Sequence, residues 1–243
     1  MKKGIYTTLL LGSLLYAGGD IAPVEPQIDL PTVSNGTSQP FDYNVALKVG
    51  TLGIGLDVSH MITENFGLRA NINGFSYSDT QDVSDINYDA DLKLFTAGLL
   101  ADYYPFENNF RVSAGVYYND NHADGVFKPS DGTTFELGDH EYDATEIGKV
   151  DAGAYYDDSI APYIGFGWGN KSTSSGWGFT LDIGAMYQGS TKVYADATIN
   201  DSVPDDQKAE IKQDIETERN QIEEDVKDYK WYPVIMIGVN YSF

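Results

Sequence analysis

The chain has 243 residues, no cysteine, 25 glycines, 18 tyrosines and a formal net charge of -22. That charge excludes nucleic acid as a partner, since phosphate binding needs clustered lysine and arginine, and the lack of cysteine excludes disulfide cross-links. The negative mean hydropathy excludes a bundle of membrane helices but permits a transmembrane β-barrel, whose strands give only alternate residues to lipid.

Met1 to Lys3 is a basic start, Gly4 to Tyr16 an apolar run and Ala17-Gly18-Gly19 a small-residue cleavage site. This is the pattern of an export signal over residues 1–19. The run falls short of the roughly 18 to 20 apolar residues of a spanning helix. Residues 20–40 hold Pro23, Pro26, Pro31 and Pro40 and read as an extended leader. Residues 41–243 read as one all-β domain.

From Asn44 to Ser59 apolar residues alternate, and the parity slips at Gly50-Thr51. The slip fits either a bulge in one strand or a tight turn between two. Phe66, Leu68, Ala70 and Ile72 then alternate with Arg69, Asn71 and Asn73, completing a hairpin. Asp79 to Asp85 reads as an acidic loop. Residues 86–103 read as a long strand, with Tyr88, Ala90, Leu92, Leu94 and Leu100 on the apolar face and Asn87, Asp89, Asp91 and Lys93 on the polar one. After a turn at Pro105 to Asn109, Phe110 to Asn119 alternates again.

Residues 120–158 form a long polar connection, with a small hairpin around Gly138-Asp139 between Phe135 and Tyr142. Pro162 to Gly169 and Trp177 to Gln188 are two further strands, joined by a turn at Lys171 to Gly176. Gly165, Gly167 and Gly169 mark small inward positions there, not a nucleotide loop. Seven strands are clear. An even number is required of a single-chain bacterial barrel, so the eighth is the half before Gly50 or part of residues 133–150 or 190–199.

Between residues 203 and 229, Ile211, Ile215, Ile222, Val226 and Tyr229 recur at helical spacing. Ser202 and Asp205 resemble a capping box, and acids crowd the first turn. This acidic amphipathic helix is expected to cap the barrel rim or to pack on an outer loop.

The last stretch, Trp231 to Phe243, places Pro233, Ile235, Ile237, Val239, Tyr241 and Phe243 on one side, and Val234, Met236, Gly238, Asn240 and Ser242 on the other. Gly238, Tyr241 and Phe243 match the Gly-x-x-aromatic-x-aromatic terminus of bacterial outer-membrane barrels, although Met236 replaces that family's usual polar residue. Residues 41–243 thus resemble small outer-membrane β-barrels of Gram-negative bacteria, similar to the OmpA transmembrane domain and OmpW classes. The resemblance implies a closed antiparallel transmembrane β-barrel of eight strands in the bacterial cell outer membrane. It implies outer-membrane lipid, lipopolysaccharide and the barrel-assembly machinery as partners, with Gly238, Tyr241 and Phe243 as the assembly signal. Oligomeric state is left open.

The inward positions collect Lys48, Arg69, Lys93 and Arg111 against Asp57, Asp91, Asp102 and Asp182. Eight strands leave a lumen just wide enough to be filled by side chains, so these eight residues are expected to pair and close it. A structural or surface-interaction role follows. The alternatives are a narrow channel for ions or small, even hydrophobic, solutes gated by the helix, or a barrel enzyme acting on lipid or peptide. Catalysis is not expected, since pairing His122 with Asp124, or Asp139 with His140, needs no more than an acidic loop. Asp120, Asp124 and Asp131 faintly echo a calcium loop. No tightly held cofactor is expected, only loose Ca²⁺ or Mg²⁺ at the acidic loops, bridging to lipopolysaccharide phosphates.

Overall fold

The computed structural model describes residues 43–83, 86–106, 108–129, 132, 134–138, 140–169, 171 and 175–243. The expected export signal and leader lie outside them, as do Asp131 and Asp139.

Eight antiparallel strands close into a ring: β1 (Tyr43–Gly50), β2 (Gly53–Met61), β3 (Phe66–Val83), β4 (Ile86–Tyr103), β5 (Phe110–Asn119), β10 (Ile160–Trp168), β11 (Gly176–Tyr187) and β13 (Trp231–Ser242). Outside the ring are β6 (His122–Pro129), β7 (Thr134–Leu137), β8 (His140–Asp143), β9 (Ile147–Tyr156), β12 (Thr191–Ile199) and one helix, α1 (Asp205–Val226). The last strand pairs with the first, Val239 opposite Leu47. Closure leaves the ring without an edge in lipid, where unpaired backbone would be costly.

The parity slip at Gly50-Thr51 is a turn, so the eighth strand is the half before Gly50. Gly53 closes that turn with φ at 90°, and a Cβ there would stand 2.5 Å from the Gly74 carbonyl oxygen. Both conditions call for glycine.

Side chains facing away from the ring axis are apolar and exposed, among them Leu99 at 68% and Ile237 at 58%. Aromatic pairs fringe this band at both ends. Phe66 with Tyr103 and Trp177 with Tyr241 lie at the short-turn end, and Tyr187 with Trp231 and Phe95 with Tyr118 at the long-loop end. An apolar band between two aromatic belts is the surface a bilayer selects.

Strands β3 and β4 run for 18 residues each, about twice what the bilayer needs. Their outer halves leave the ring. Strand β4 pairs with β5 from Thr96 to Tyr103 and with β6 from Ile86 to Lys93. Strand β6 continues to β9, and β9 to β12. The outer halves of β3 and β4 with β6, β9 and β12 therefore make a five-stranded sheet beyond the long-loop end. Asn121 fills the junction, its Oδ1 accepting the Phe95 N–H at 2.8 Å where β5 departs.

Five expectations change here. Residues 79–83 belong to β3 and are not loop, because β4 pairs with them up to Val83 opposite Ile86. The connection 120–158 carries β6 to β9, and residues 191–199 form a strand of the outer sheet rather than of the barrel. Leu100 points inward and is buried, not toward lipid. The capping box does not form: the helix starts after Pro204 without a side-chain cap, though Asp205 and Asp206 occupy its first turn, where the helix dipole favours acids.

Helix α1 packs on β12 and the β7–β8 hairpin. Ile211 and Ile215 are buried with Tyr142, Ile147 and Val203, flanked by Ala195, Ala197 and Ile199. Each buried isoleucine stabilises this contact by roughly 1.5–3 kcal/mol. Ile222 and Val226 are half-buried and Tyr229 is exposed, so the stripe is covered mainly in its first half.

Candidate functional site

The barrel interior is filled in three tiers. At the short-turn end Asn44 Nδ2 donates to Ser242 Oγ at 2.8 Å. Tyr104, from the β4–β5 connection, is buried beside this tier, tied through its backbone to Asn65 in both directions, with Lys171 Nζ 5.5 Å over its ring.

The middle tier holds six charges. Lys48 Nζ lies 2.5 Å from Asp57 Oδ2 and 2.9 Å from Asp182 Oδ2. Arg69 reaches Asp57 at 3.2 Å, Asp102 at 2.9 Å and Asp182 at 3.0 Å. Arg111 meets Asp182 at 2.6 Å and donates to the Gly169 carbonyl at 2.6 Å. Ser113 Oγ donates to Asp102 at 2.5 Å. Three cations face three carboxylates, so the tier is neutral. With Arg69 1% and Arg111 0% exposed, bulk water does not screen these pairs.

The tier toward the long-loop end is largely apolar: Leu52, Leu100, Tyr117, Tyr163, Met186, Val234 and Met236 pack together with Tyr232 against them. On the β3–β4 wall, Asn73 Nδ2 donates to Asn71 Oδ1 and Thr96 Oγ1, and Asn71 Nδ2 to Tyr117 Oη. Tyr163 lies along the lumen wall over Gly165 and Gly184, which face each other on the adjacent strands β10 and β11. A Cβ on Gly184 would stand 2.5 Å from Tyr163 Oη. These inward glycines make room for a ring.

The charge pattern alone did not reveal the apolar tier. Its signal was nevertheless present in Met186, Val234 and Met236, which share inward parity with small and polar residues. Of the eight charges expected inside, Lys48, Asp57, Arg69, Asp102, Arg111 and Asp182 meet there. Asp91 and Lys93 do not: both are exposed on the outer half of β4, opposite Asp124 and His122 of β6. The strand has left the bilayer by then, and its polar face looks away from the barrel axis.

On that outer face Asp91 lies opposite Asp124, and Asp151 opposite Asp196. Like charges in direct cross-strand pairs repel, and neighbours temper this. Lys149 meets Asp151 at 2.8 Å and Tyr194 donates to Asp124 at 2.6 Å. The bond to Asp124, with burial and the carboxylate charge, pushes the Tyr194 hydroxyl up to about 12. Tyr194 reaches Asp124 across Gly153, where a Cβ would stand 2.6 Å from its ring.

Two of the three histidines, His122 and His140, lie beside carboxylates, and His60 stacks on Tyr43. His122 Nε2 is 3.8 Å from Asp124, and its Nδ1 lies 3.1 Å from the Asp120 carbonyl. His140 pairs with Asp214 of α1 at 2.8 Å and faces Glu210 at 3.5 Å. Tyr142 also donates to Asp214, at 2.6 Å. Among the described residues no group of three or more His, Asp or Glu could hold a metal ion. Asp120 and Asp124 flank His122 without closing a cage.

Compared by fold, the chain is similar to two solved outer-membrane β-barrels of Acinetobacter baumannii. CarO2 matches at a TM-score of 0.55 and 28% identity, over 84% of this chain and all of that one. CarO matches at a TM-score of 0.53 and 25% identity, over 85% of this chain and all of that one. By sequence, no family model and no curated protein matches. The eight-stranded ring with its apolar band is an outer-membrane type of barrel.

Proposed function

We propose that the protein resides in the bacterial outer membrane as a closed barrel with a structural and surface-interaction role, its lumen sealed by paired charges, and that the outer sheet and α1 are its working surface. The observation that carries this reading is the filled interior: a neutral network of six buried charges lies between Tyr104 at one end and the Tyr163–Met236 apolar tier at the other. A water-filled pore needs a continuous polar path, and here Tyr104 is buried at one end and the packed Tyr117 and Tyr163 rings lie in the apolar tier at the other. The reading of α1 as a channel lid has less support, since its buried residues face the outer sheet. Both chain ends of the barrel lie on the short-turn side, which is periplasmic in such barrels, so the outer sheet faces the cell exterior.

Planar-bilayer recording on the refolded protein tests this. Silent membranes and silent liposome swelling are expected, and reproducible single-channel steps would overturn the closed-lumen reading. Lipopolysaccharide is the expected neighbour of the outer half, and the assembly machinery the expected reader of Gly238, Tyr241 and Phe243. Loose Ca²⁺ or Mg²⁺ among the acidic loops would raise protease resistance between residues 120 and 158; cleavage unchanged by a chelator would refute it.

A further inference from the structure

The outer sheet has two edges, and the molecule treats them differently. At the β12 edge the helix intervenes. Glu223 of α1 accepts the Val193 N–H at 3.4 Å and pairs with Lys192 at 3.1 Å, so part of that edge is occupied and its flank is charged. The other edge is the outer half of β3. Strand β2 pairs with β3 only from Gly67 to Gly74, and beyond Gly74 no strand among the described residues pairs with the side of β3 opposite β4. Every second residue there directs its N–H and C=O into the open.

Natural sheets blunt such edges with lysine, proline, bulges or a covering element. Phe75 to Thr80, reading Phe-Ser-Tyr-Ser-Asp-Thr, contains neither lysine nor proline and carries a single charge, Asp79, beyond Phe75 and Tyr77 on their face, and its ladder to β4 runs without a register shift. Phe75 is 44% and Tyr77 54% exposed. Tyr77 begins an apolar row that crosses the sheet through Leu92, Ala123, Ala154 and Val193. A strand laid beside β3 would extend that row with its own apolar residues. On the opposite face Ser78 and Thr80 lie in front of Asp91 and Asp89. Their side chains are short, so a long basic side chain on the added strand could reach over them to Asp91, and to Asp89 beside its partner Lys128 at 3.5 Å, while Lys93 opposite Ser76 disfavours a basic residue there.

We infer that the edge of β3 from Phe75 to Thr80, with which no strand among the described residues pairs, is a docking site for an extended segment of a partner polypeptide, added as a sixth strand. Apolar residues at alternate positions would lie beside Phe75 and Tyr77, with lysine or arginine beside Ser78 and Thr80 facing Asp91 and Asp89. The occupant is a foreign segment and not a second copy, because the same edge of a neighbour in one membrane rises as this one does, whereas antiparallel addition needs a descending strand. This inference rests on the proposed surface-interaction role and names its site.

A capped peptide of alternating valine and lysine, eight residues long, is a suitable probe, added to the refolded protein in zwitterionic detergent. Its fully N-methylated counterpart keeps charge and apolar groups but donates no backbone bond. The plain peptide should slow hydrogen exchange of the residue 75–80 amides by about tenfold or more, and the N-methylated one should not. Ser78→Pro should abolish the protection, and Ser78→Lys, which leaves the backbone intact, should weaken binding by about tenfold through charge repulsion; unchanged heat-modifiability shows that both variants fold. Equal binding of the two peptides, or protection confined to β12, would overturn the inference. Protection of residues 75–80 that rises with protein concentration and without peptide would assign the edge to a second copy instead. Failure here alongside silent bilayers would leave the closed barrel standing, whereas channel steps would remove that reading without touching this edge.

Discussion

Arg69 Nη1 lies 3.0 Å from each carboxylate oxygen of Asp182, a residue 113 positions further along the chain. The contact spans the lumen from β3 to β11, strands that are not neighbours in the ring, so charge pairing and closure depend on each other. Arg69→Met leaves three buried carboxylates facing Lys48 and Arg111 alone. Stranding a buried charge in this way costs about 3–5 kcal/mol. Adding Asp102→Asn restores neutrality, so the double variant should lose less than the sum of the two single ones. Urea titration of all three in detergent measures this, and strictly additive losses would show that the six charges do not act as a unit.

Tyr163 occupies space that only glycine leaves. A Cβ at Gly184 would stand 2.5 Å from Tyr163 Oη and 2.6 Å from the Ile164 carbonyl oxygen, so the neighbour in its way is partly backbone. Gly184→Val should destabilise by about 1–3 kcal/mol through overpacking. Tyr163→Ala in the same background should recover part of that loss by emptying the notch. Melting of the compact unboiled form on gels reads both, and no recovery would place the strain in the backbone alone.

The ring was legible because Val234 to Ser242, Phe110 to Asn119 and Trp177 to Gln188 alternate cleanly, and period two states which residues share a side. It does not state height. On β3 the apolar residues change parity between Ile72 and Phe75, and on β4 between Leu94 and Leu99. The two changes lie in paired rows, with Gly74 opposite Phe95. Below that level lipid makes the outward side apolar; above it, the packing of the outer sheet favours apolar residues on the other side. A strand that leaves the bilayer thus exchanges its dry face without a break, and Asp91 and Lys93 look inward to anyone following parity alone. The six charges that do meet inside were readable as types, but their partners depend on lumen geometry. The open edge of β3 was invisible, because it exists only where β2 ends and β3 does not.

The β7–β8 hairpin should detach from α1 at both extremes of pH. Burial opposes ionisation of Asp214, but hydrogen bonds from Tyr142 and His140, and the histidine's charge, outweigh it and hold the carboxyl below its usual range. A depressed native value gives stability that is present above the unfolded value of about 4 and lost as pH falls through the native one. Burial, and then the bond to Asp214 and nearby carboxylates, push the Tyr142 hydroxyl upward. A raised native value gives stability that is full below about 10 and lost as pH climbs through the native one. Protease cleavage near His140 to Asp143 should therefore rise as pH falls below about 4 and rise again as it climbs above about 10. Tyr142→Phe should remove the alkaline rise and shift the acid one upward; an unchanged profile would mean that this contact does not hold the hairpin.

The closing seam is where removal of one residue should show most. Phe243 N–H donates to the Tyr43 carbonyl at 3.1 Å, and its ring packs on Tyr241, which in turn packs on Trp177. Deleting Phe243 removes the last backbone bond between β13 and β1, about 0.5–1.5 kcal/mol, together with one ring of the aromatic belt. Phe243→Leu keeps the bond and part of the apolar area. If the residue serves only the seam, the deletion should lower the refolded fraction in pure detergent and in cells alike, and leucine should restore most of it in both. If it is also read during assembly, leucine should restore refolding in detergent but not the folded fraction recovered from outer membranes. Equal yields of all three proteins in both settings would remove Phe243 from the closure and from the signal.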